Sequence, residues 1–221
     1  MLCFTMSVHT SVTFDGCSHE VRASAAIATA MTLNSKLFFI KDKFVILTTG
    51  RLCKEKSHDV LLKAIAKSKY NDKIQLIIAG QGPLINKIKR YSNKHLKNSP
   101  IIKYFTREEM VNLLNYADLY CHPAEVELEG IACLEAVVTG LVPIVSDSDR
   151  SATSGFALCD KNLFKNRNFK ELARKIDFFI ENNDEKLKLK QEYLKFGNRF
   201  NQEECMNQME NMFKEILEKR I

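Results

Sequence analysis

Phe44-Val45-Ile46-Leu47-Thr48-Thr49-Gly50 is a continuous apolar and β-branched run closed by a glycine. A strand with one wet face alternates apolar and polar residues. An unbroken run is the pattern of a strand covered on both faces, as in a parallel sheet. Downstream of it, Val60, Leu61, Ala64 and Ile65 recur at helical spacing while Lys63 and Lys67 fall on the other side, which predicts a helix with one buried face. The same grammar repeats at once. Ile74–Ala79 reads as a strand, Gly80-Gln81-Gly82-Pro83 as a turn, and a helix follows with Pro83 at its first position and Leu84, Ile88 and Tyr91 at i, i+4 and i+7. Two strand-then-helix units in succession require right-handed crossovers and a parallel sheet.

Further out, Ile101-Ile102-Lys103-Tyr104 begins a third unit, and Thr106-Arg107-Glu108-Glu109 forms a capping box ahead of Met110, Leu113 and Leu114. Leu119-Tyr120-Cys121 and Val142-Pro143-Ile144-Val145 read as two more strands. Five strands interleaved with helices make an α/β, doubly wound, Rossmann-like sheet. Its ligands lie beyond the carboxyl ends of the strands, where Gly50-Arg51, Gly80-Gln81-Gly82 and Glu127 converge. The remainder reads as helical. Asn168 with Glu171 caps a helix carrying Leu172, Ile176, Phe179 and Ile180, and a second runs over about 184–196 and stops at Gly197. Asn201 with Glu204 opens an amphipathic helix within 201–221 whose apolar side holds Met206, Met209, Met212, Phe213, Ile216 and Leu217. Such a stripe is most often core, but methionine also suits an adaptable docking face. Toward the other end, residues 1–43 are rich in Ser, Thr and Ala, with a short helix read at 21–33 and no strand-helix alternation. They are set apart as an N-terminal segment, open to three readings (the remnant of or linker from a preceding acceptor domain, a weakly ordered arm, or sequence unrelated to the main fold), which leaves 44–200 as the sheet domain.

Composition excludes several classes. A 221-residue chain with 45% hydrophobic residues can bury a core, so a disordered chain is not indicated. The net charge of +6 comes from lysines scattered along the chain rather than gathered in a block, so nucleic acid is not inferred. Seven cysteines without a Cys-x-x-Cys pair fit reduced thiols in a cytoplasm better than a disulfide frame or a zinc site. No apolar run reaches the length of a membrane span. Basic helical stretches such as 186–195 are compatible with peripheral contact at the inner face of a membrane, although a solvated face explains those lysines equally simply.

The chemistry concentrates in Glu127-Leu128-Glu129-Gly130-Ile131-Ala132-Cys133-Leu134-Glu135. It reads as a loop entering a helix near Gly130, behind the turn Cys121-His122-Pro123-Ala124. Unpaired N–H groups in the first turn of such a helix accept an anion without a basic side chain. Glu135 lies roughly 8 Å further along the axis at 1.5 Å per residue, and Glu127 lies before the donors. The layout suits a ligand with hydroxyls at both ends and a diphosphate between them, the shape of a nucleotide sugar. Taken alone, the two glutamates also fit a solvated acidic loop and an ordinary helix.

Gly50-Arg51-Leu52-x-x-Glu55-Lys56 after one buried strand, Gly80-x-Gly82-Pro83 after the next, and Glu127-x7-Glu135 followed by Ala136, Gly140 and Pro143 together resemble the C-terminal, donor-binding half of family-four (group 1) retaining glycosyltransferases of the GT-B fold. The similarity covers about residues 44–218. The resemblance implies that Arg51 and Lys56, near Gly50, hold the donor diphosphate, and that Glu127 holds the hydroxyls of the transferred sugar. It further implies that Gly130 and Ile131 offer backbone N–H groups to the phosphate and that Glu135 takes the ribose hydroxyls. Fixed cations beside a leaving diphosphate stabilise the charge that builds up as the glycosidic bond breaks. One departure is Glu129, where the family commonly has an aromatic residue before the glycine; it puts the sugar pocket's shape in question.

Other signals are set aside. Gly80-x-Gly82 lacks the third glycine and the ribose-binding acid of a dinucleotide fingerprint. Asp147-Ser148-Asp149 is read as a turn rather than a metal-binding triplet, and neither a metal nor a cofactor is expected. His58 and His122 lack a readable nucleophile and orienting group, and His122 is read as shaping its loop. The expected partners are a nucleotide sugar, a glycan or lipid-linked acceptor, and an acceptor-binding domain or subunit docked on the C-terminal helix. The alternatives are a non-catalytic nucleotide-sugar-binding or assembly subunit and, more remotely, a sugar-nucleotide epimerase.

Overall fold

The computed structural model describes residues 42–218; the N-terminal helix read at 21–33 lies outside them. Six parallel strands form one sheet in the order β3-β2-β1-β4-β5-β6. They are β1 (Phe44–Thr49), β2 (Ile74–Ala79), β3 (Ile101–Lys103), β4 (Leu119–His122), β5 (Pro143–Asp147) and β6 (Leu163–Lys165). The chain winds outward from β1 to β3, returns, and winds outward again from β4. The reversal falls between β1 and β4, the place where doubly wound sheets open a crevice for ligands. The unbroken apolar run of β1 is explained by its central position. It pairs with β2 along its whole length, from Phe44 with Ile74 to Thr49 with Ala79, and with β4 on its other side.

Helices cover both faces: α1 (His58–Lys67), α2 (Ile85–His95), α3 (Arg107–Tyr116), α4 (Ile131–Val138), α5 (Phe169–Glu181), α6 (Asn183–Gly197) and α7 (Gln202–Glu218). The apolar sides of α1 and α5 meet, burying Val60, Leu61, Ala64 and Ile65 with Leu172, Ala173, Ile176 and Phe179. α4 packs on α6 so closely that a Cβ on Gly140 or Gly197 would lie 2.7 Å from Leu194 or 2.8 Å from Val138. The helix starts follow their sequence signals. Thr106 and Glu109 form a reciprocal capping box on α3, Asn168 Oδ1 accepts from the Glu171 N–H, and Asn201 Oδ1 accepts from the N–H groups of Glu203 and Glu204.

Two expectations need correction. The sheet has six strands, not five. β6 is only three residues long with Phe164 alone buried, too short for periodicity to reveal, and Asn162 ties its start to β5 by donating to the Pro143 carbonyl at 2.7 Å. Next, α2 begins at Ile85, two residues after Pro83. The Leu84 N–H is taken by the Leu52 carbonyl at 3.0 Å, which holds the chain in the turn before the helix can start. Of the two readings of the α7 stripe, burial in the core is excluded. None of that helix's described residues is buried, and Met206, Met212, Phe213, Ile216 and Leu217 are exposed.

Candidate functional site

At the carboxyl end of β1, the first two strand-to-helix loops interlock through backbone. A Cβ on Gly80 would sit 2.0 Å from the Gly50 carbonyl oxygen, and one on Gly82 would sit 2.6 Å from the backbone N and O of Leu52. Leu52 donates to the Gln81 carbonyl at 2.9 Å, and its side chain is fully buried. The motif glycines therefore let two loops touch, and that contact fixes where the chain leaves β1. Gly50 itself adopts φ 137°, a conformation suited to glycine, and its α-carbon faces the alkyl stem of Lys56.

Lys56 turns toward β4. There Tyr120 and His122, two residues apart and hence on one face of the strand, are both buried. The Tyr120 hydroxyl lies 2.6 Å from Thr49 Oγ1 and 3.2 Å from His122 Nδ1, and His122 Nε2 lies 3.1 Å from Glu127 Oε2. Lys56 Nζ donates to that same oxygen. The result is a polar chain from β1 through β4 to the loop before α4. Hydrogen bonding from His122, reinforced by Lys56, holds the Glu127 carboxyl down at about 2 despite its partial burial, so it is a carboxylate at neutral pH.

The Glu127 loop is pinned on every side. Glu125 receives Arg150 and Arg167, the latter through Nε at 2.8 Å, and its N–H donates to the Glu55 carbonyl at 2.8 Å. Ser148 Oγ donates to the Glu125 carbonyl at 2.7 Å, the Glu127 N–H to Arg150, and the Ala152 N–H back to Glu127. Gly130 follows with φ 71°, and a Cβ there would lie 2.5 Å from Thr153. The Gly130 carbonyl accepts the first two bonds of α4, from Cys133 and Leu134. The N–H groups of Gly130, Ile131 and Ala132 have no hydrogen-bond partner among the described residues, leaving the positive end of the helix open.

Gly50, Lys56, Glu127 and Gly130 thus form one contiguous group. Arg51 lies at the same edge, exposed, and its side chain makes no hydrogen bond or salt bridge among the described residues. Ile131 is partly exposed at the start of α4. Glu135 is half-buried further along α4; burial raises its pKa, opposed only by the Arg107 charge, and no partner binds its carboxylate among the described residues. Glu129, at the family's aromatic position, is exposed.

Thr49 and Tyr120 were not singled out from sequence and read simply as strand residues. His122, read as shaping its loop, does so by bonding Glu127 directly. His58 is buried with neither ring nitrogen bonded among the described residues, and burial pushes it down to about 4, with the charges of His122 and Lys56 adding to the shift. Within the protein, the Lys56 ammonium is paired with the Glu127 carboxylate. Chemically, the edge offers two cations, open backbone donors and a carboxylate whose Oε1 has no partner among the described residues, an arrangement able to take an anion and hydroxyls side by side.

The family model described as "Glycosyl transferases group 1" matches residues 32–196. Among solved structures, the catalytic domain of cholesterol-alpha-glucosyltransferase from Helicobacter pylori is 40% identical, with a TM-score of 0.69, covering 72% of this chain and 99% of that one. Anabaena Alr3699/HepE in complex with UDP superposes with a TM-score of 0.73 over 85% of this chain and 53% of that one; at 18% identity it speaks for the fold alone. Among curated proteins, "Putative glycosyltransferase EpsF" of Bacillus subtilis (strain 168) is 31% identical over 108 residues, which is 48% of this chain and 28% of that protein. The chain spans about a quarter of the length of the curated relatives that it matches.

Proposed function

Since the chain belongs to the group 1 glycosyl transferases, we propose that its sheet domain is the donor-binding half of an enzyme that moves a hexose from a nucleoside diphosphate to a glycan or lipid-linked acceptor with retention of configuration. The observation that carries this reading is the grouping of Lys56, Glu127 and the open N-terminus of α4 at the carboxyl edge of the sheet, where β1 and β4 part. Lys56 and Arg51 neutralise the leaving diphosphate, and the N–H groups of Gly130 and Ile131 bind its oxygens. Glu127 orients the sugar hydroxyls and Glu135 accepts from the ribose. Neither a cofactor nor a metal is assigned, and the nucleotide sugar is a substrate.

The 40% identity to a cholesterol-alpha-glucosyltransferase catalytic domain supports a glucosyl donor and an apolar acceptor. The test is transfer. The chain is incubated with UDP-glucose and acceptors presented in detergent (a sterol, a diacylglycerol and an oligosaccharide), and the anomeric configuration of any product is read by NMR. An α-linked product supports the reading, and inverted product contradicts it. A second reading, a nucleotide-sugar-binding subunit that needs a separate acceptor-binding partner, is favoured by the exposed apolar side of α7. Nucleotide binding without transfer to any acceptor selects it. Conversion of the donor sugar in the absence of acceptor would instead point to an epimerase.

A further inference from the structure

Glu127 presents an asymmetry that its assigned role does not require. Among the described residues both hydrogen bonds to its carboxylate, from Lys56 Nζ and from His122 Nε2, fall on Oε2. Its Oε1 has no partner among the described residues. A carboxylate held by a single lysine rotates with that flexible side chain, whereas an imidazole buried in a strand is a rigid support.

We infer that His122 is a positioning residue, whose Nε2–H anchors Oε2 of Glu127 and leaves Oε1 for the hydroxyls of the donor sugar, with Tyr120 and Thr49 setting the imidazole tautomer that this requires. The inference rests on the donor-site reading above. An ionised carboxylate only accepts, so His122 must carry its proton on Nε2. In the neutral ring Nδ1 is then an acceptor, and the buried Tyr120 hydroxyl, whose pKa burial raises, supplies the proton across 3.2 Å. Thr49 Oγ1, 2.6 Å from that hydroxyl, donates in turn. The bonds then run one way, from Thr49 to Tyr120 to His122 to Glu127. The groups that face this chain are Lys56 and His58 beside the imidazole, and Cys133 and Glu135 on α4 beside the phenol. Among them only Lys56 bonds to a member of the chain. Supporting contacts of this kind hold a binding group in its productive geometry.

The consequence is specific to the sugar. An anchor on Glu127 leaves the affinity for a bare nucleotide unchanged and raises the affinity for the same nucleotide bearing its sugar. Titration calorimetry with UDP, GDP and ADP and their glucose conjugates, on the wild-type chain and on His122→Leu and His122→Gln, reads this directly. In His122→Leu the preference for the conjugate over the bare nucleotide falls at least fivefold while bare-nucleotide affinity stays within twofold. Gln, whose side-chain N–H reaches the place of Nε2, restores most of the preference. An unchanged preference in His122→Leu overturns the inference alone, whereas a wild-type chain that binds no nucleotide overturns the donor-site reading and this role with it. A readout without ligand also covers the case in which His122→Leu fails to fold. Long-range nitrogen-proton NMR shows the His122 ring protonated on Nε2 in the wild type and as a tautomer mixture in Tyr120→Phe, and a wild-type ring protonated on Nδ1 alone overturns the anchor.

Discussion

Lys56 and Glu127 meet in a salt bridge at the carboxyl edge of the sheet although 71 positions separate them in the chain. The lysine arrives on a loop fixed by glycine-to-backbone contacts, and the glutamate on a loop clamped by Arg150 and Arg167. Each charge is held by scaffold around it, so the pair is built for something beyond mutual attraction.

Lys56→Ala tests that statement. Glu127 keeps its bond from His122, so the fold survives and melting changes little. Nucleotide affinity, measured by calorimetry, is expected to fall several-fold because a cation beside the diphosphate is lost.

Glu135→Ala separates ligand binding from stability. The half-buried carboxylate has no partner among the described residues, and burial already raises its pKa. Removing it leaves no group unpaired, so thermal stability is expected to hold or rise while nucleotide affinity falls several-fold. A loss of both would mean that the residue is structural.

His58 gives the fold a pH dependence. In the folded chain its pKa is pushed from the usual 6.5 to about 4, chiefly by burial. The unfolded chain therefore binds this proton more tightly, so the stability associated with neutral His58 is fully present above about 6.5 and is lost as pH falls through about 4. At about 1.4 kcal/mol per pKa unit the swing is roughly 3 kcal/mol. His58→Leu is expected to flatten the melting temperature between pH 6.5 and 4 and to exceed the wild type at pH 5. Parallel wild-type and variant curves across that range would contradict this origin.

Gly80→Ala is expected to destabilise by more than about 2 kcal/mol, because its Cβ would lie 2.0 Å from the Gly50 carbonyl oxygen and backbone must move to admit it. Gly155→Ala is the control, since nothing lies within 4 Å of the added carbon. Denaturant unfolding of both checks the contrast, and equal losses would contradict the interlocked-loop account.

The architecture was legible where burial writes a pattern. The runs of β1 and β2 announce strands covered on both faces, and the caps at Thr106, Asn168 and Asn201 mark helix starts through local chemistry that each needs only a few residues to express. β6 was not legible, because three residues with one buried side chain carry no period and its pairing is decided by β5. The same division runs through the site. Gly50, Lys56, Glu127 and Gly130 sit in recognisable local motifs. The chain from Thr49 through Tyr120 to His122 depends on β1 and β4 being neighbours, a fact of tertiary pairing that neither strand states by itself. Likewise, the clamp on Glu125 draws Arg150 and Arg167 from loops 25 and 42 residues away.

The most direct test of the central claim, that this carboxyl edge binds a nucleoside diphosphate sugar, is titration calorimetry of the chain against UDP, GDP and ADP, each with and without its sugar. The account predicts micromolar binding selective for one base, weakened several-fold by Lys56→Ala. A folded chain that binds none of them, or one whose binding is indifferent to Lys56, would contradict it.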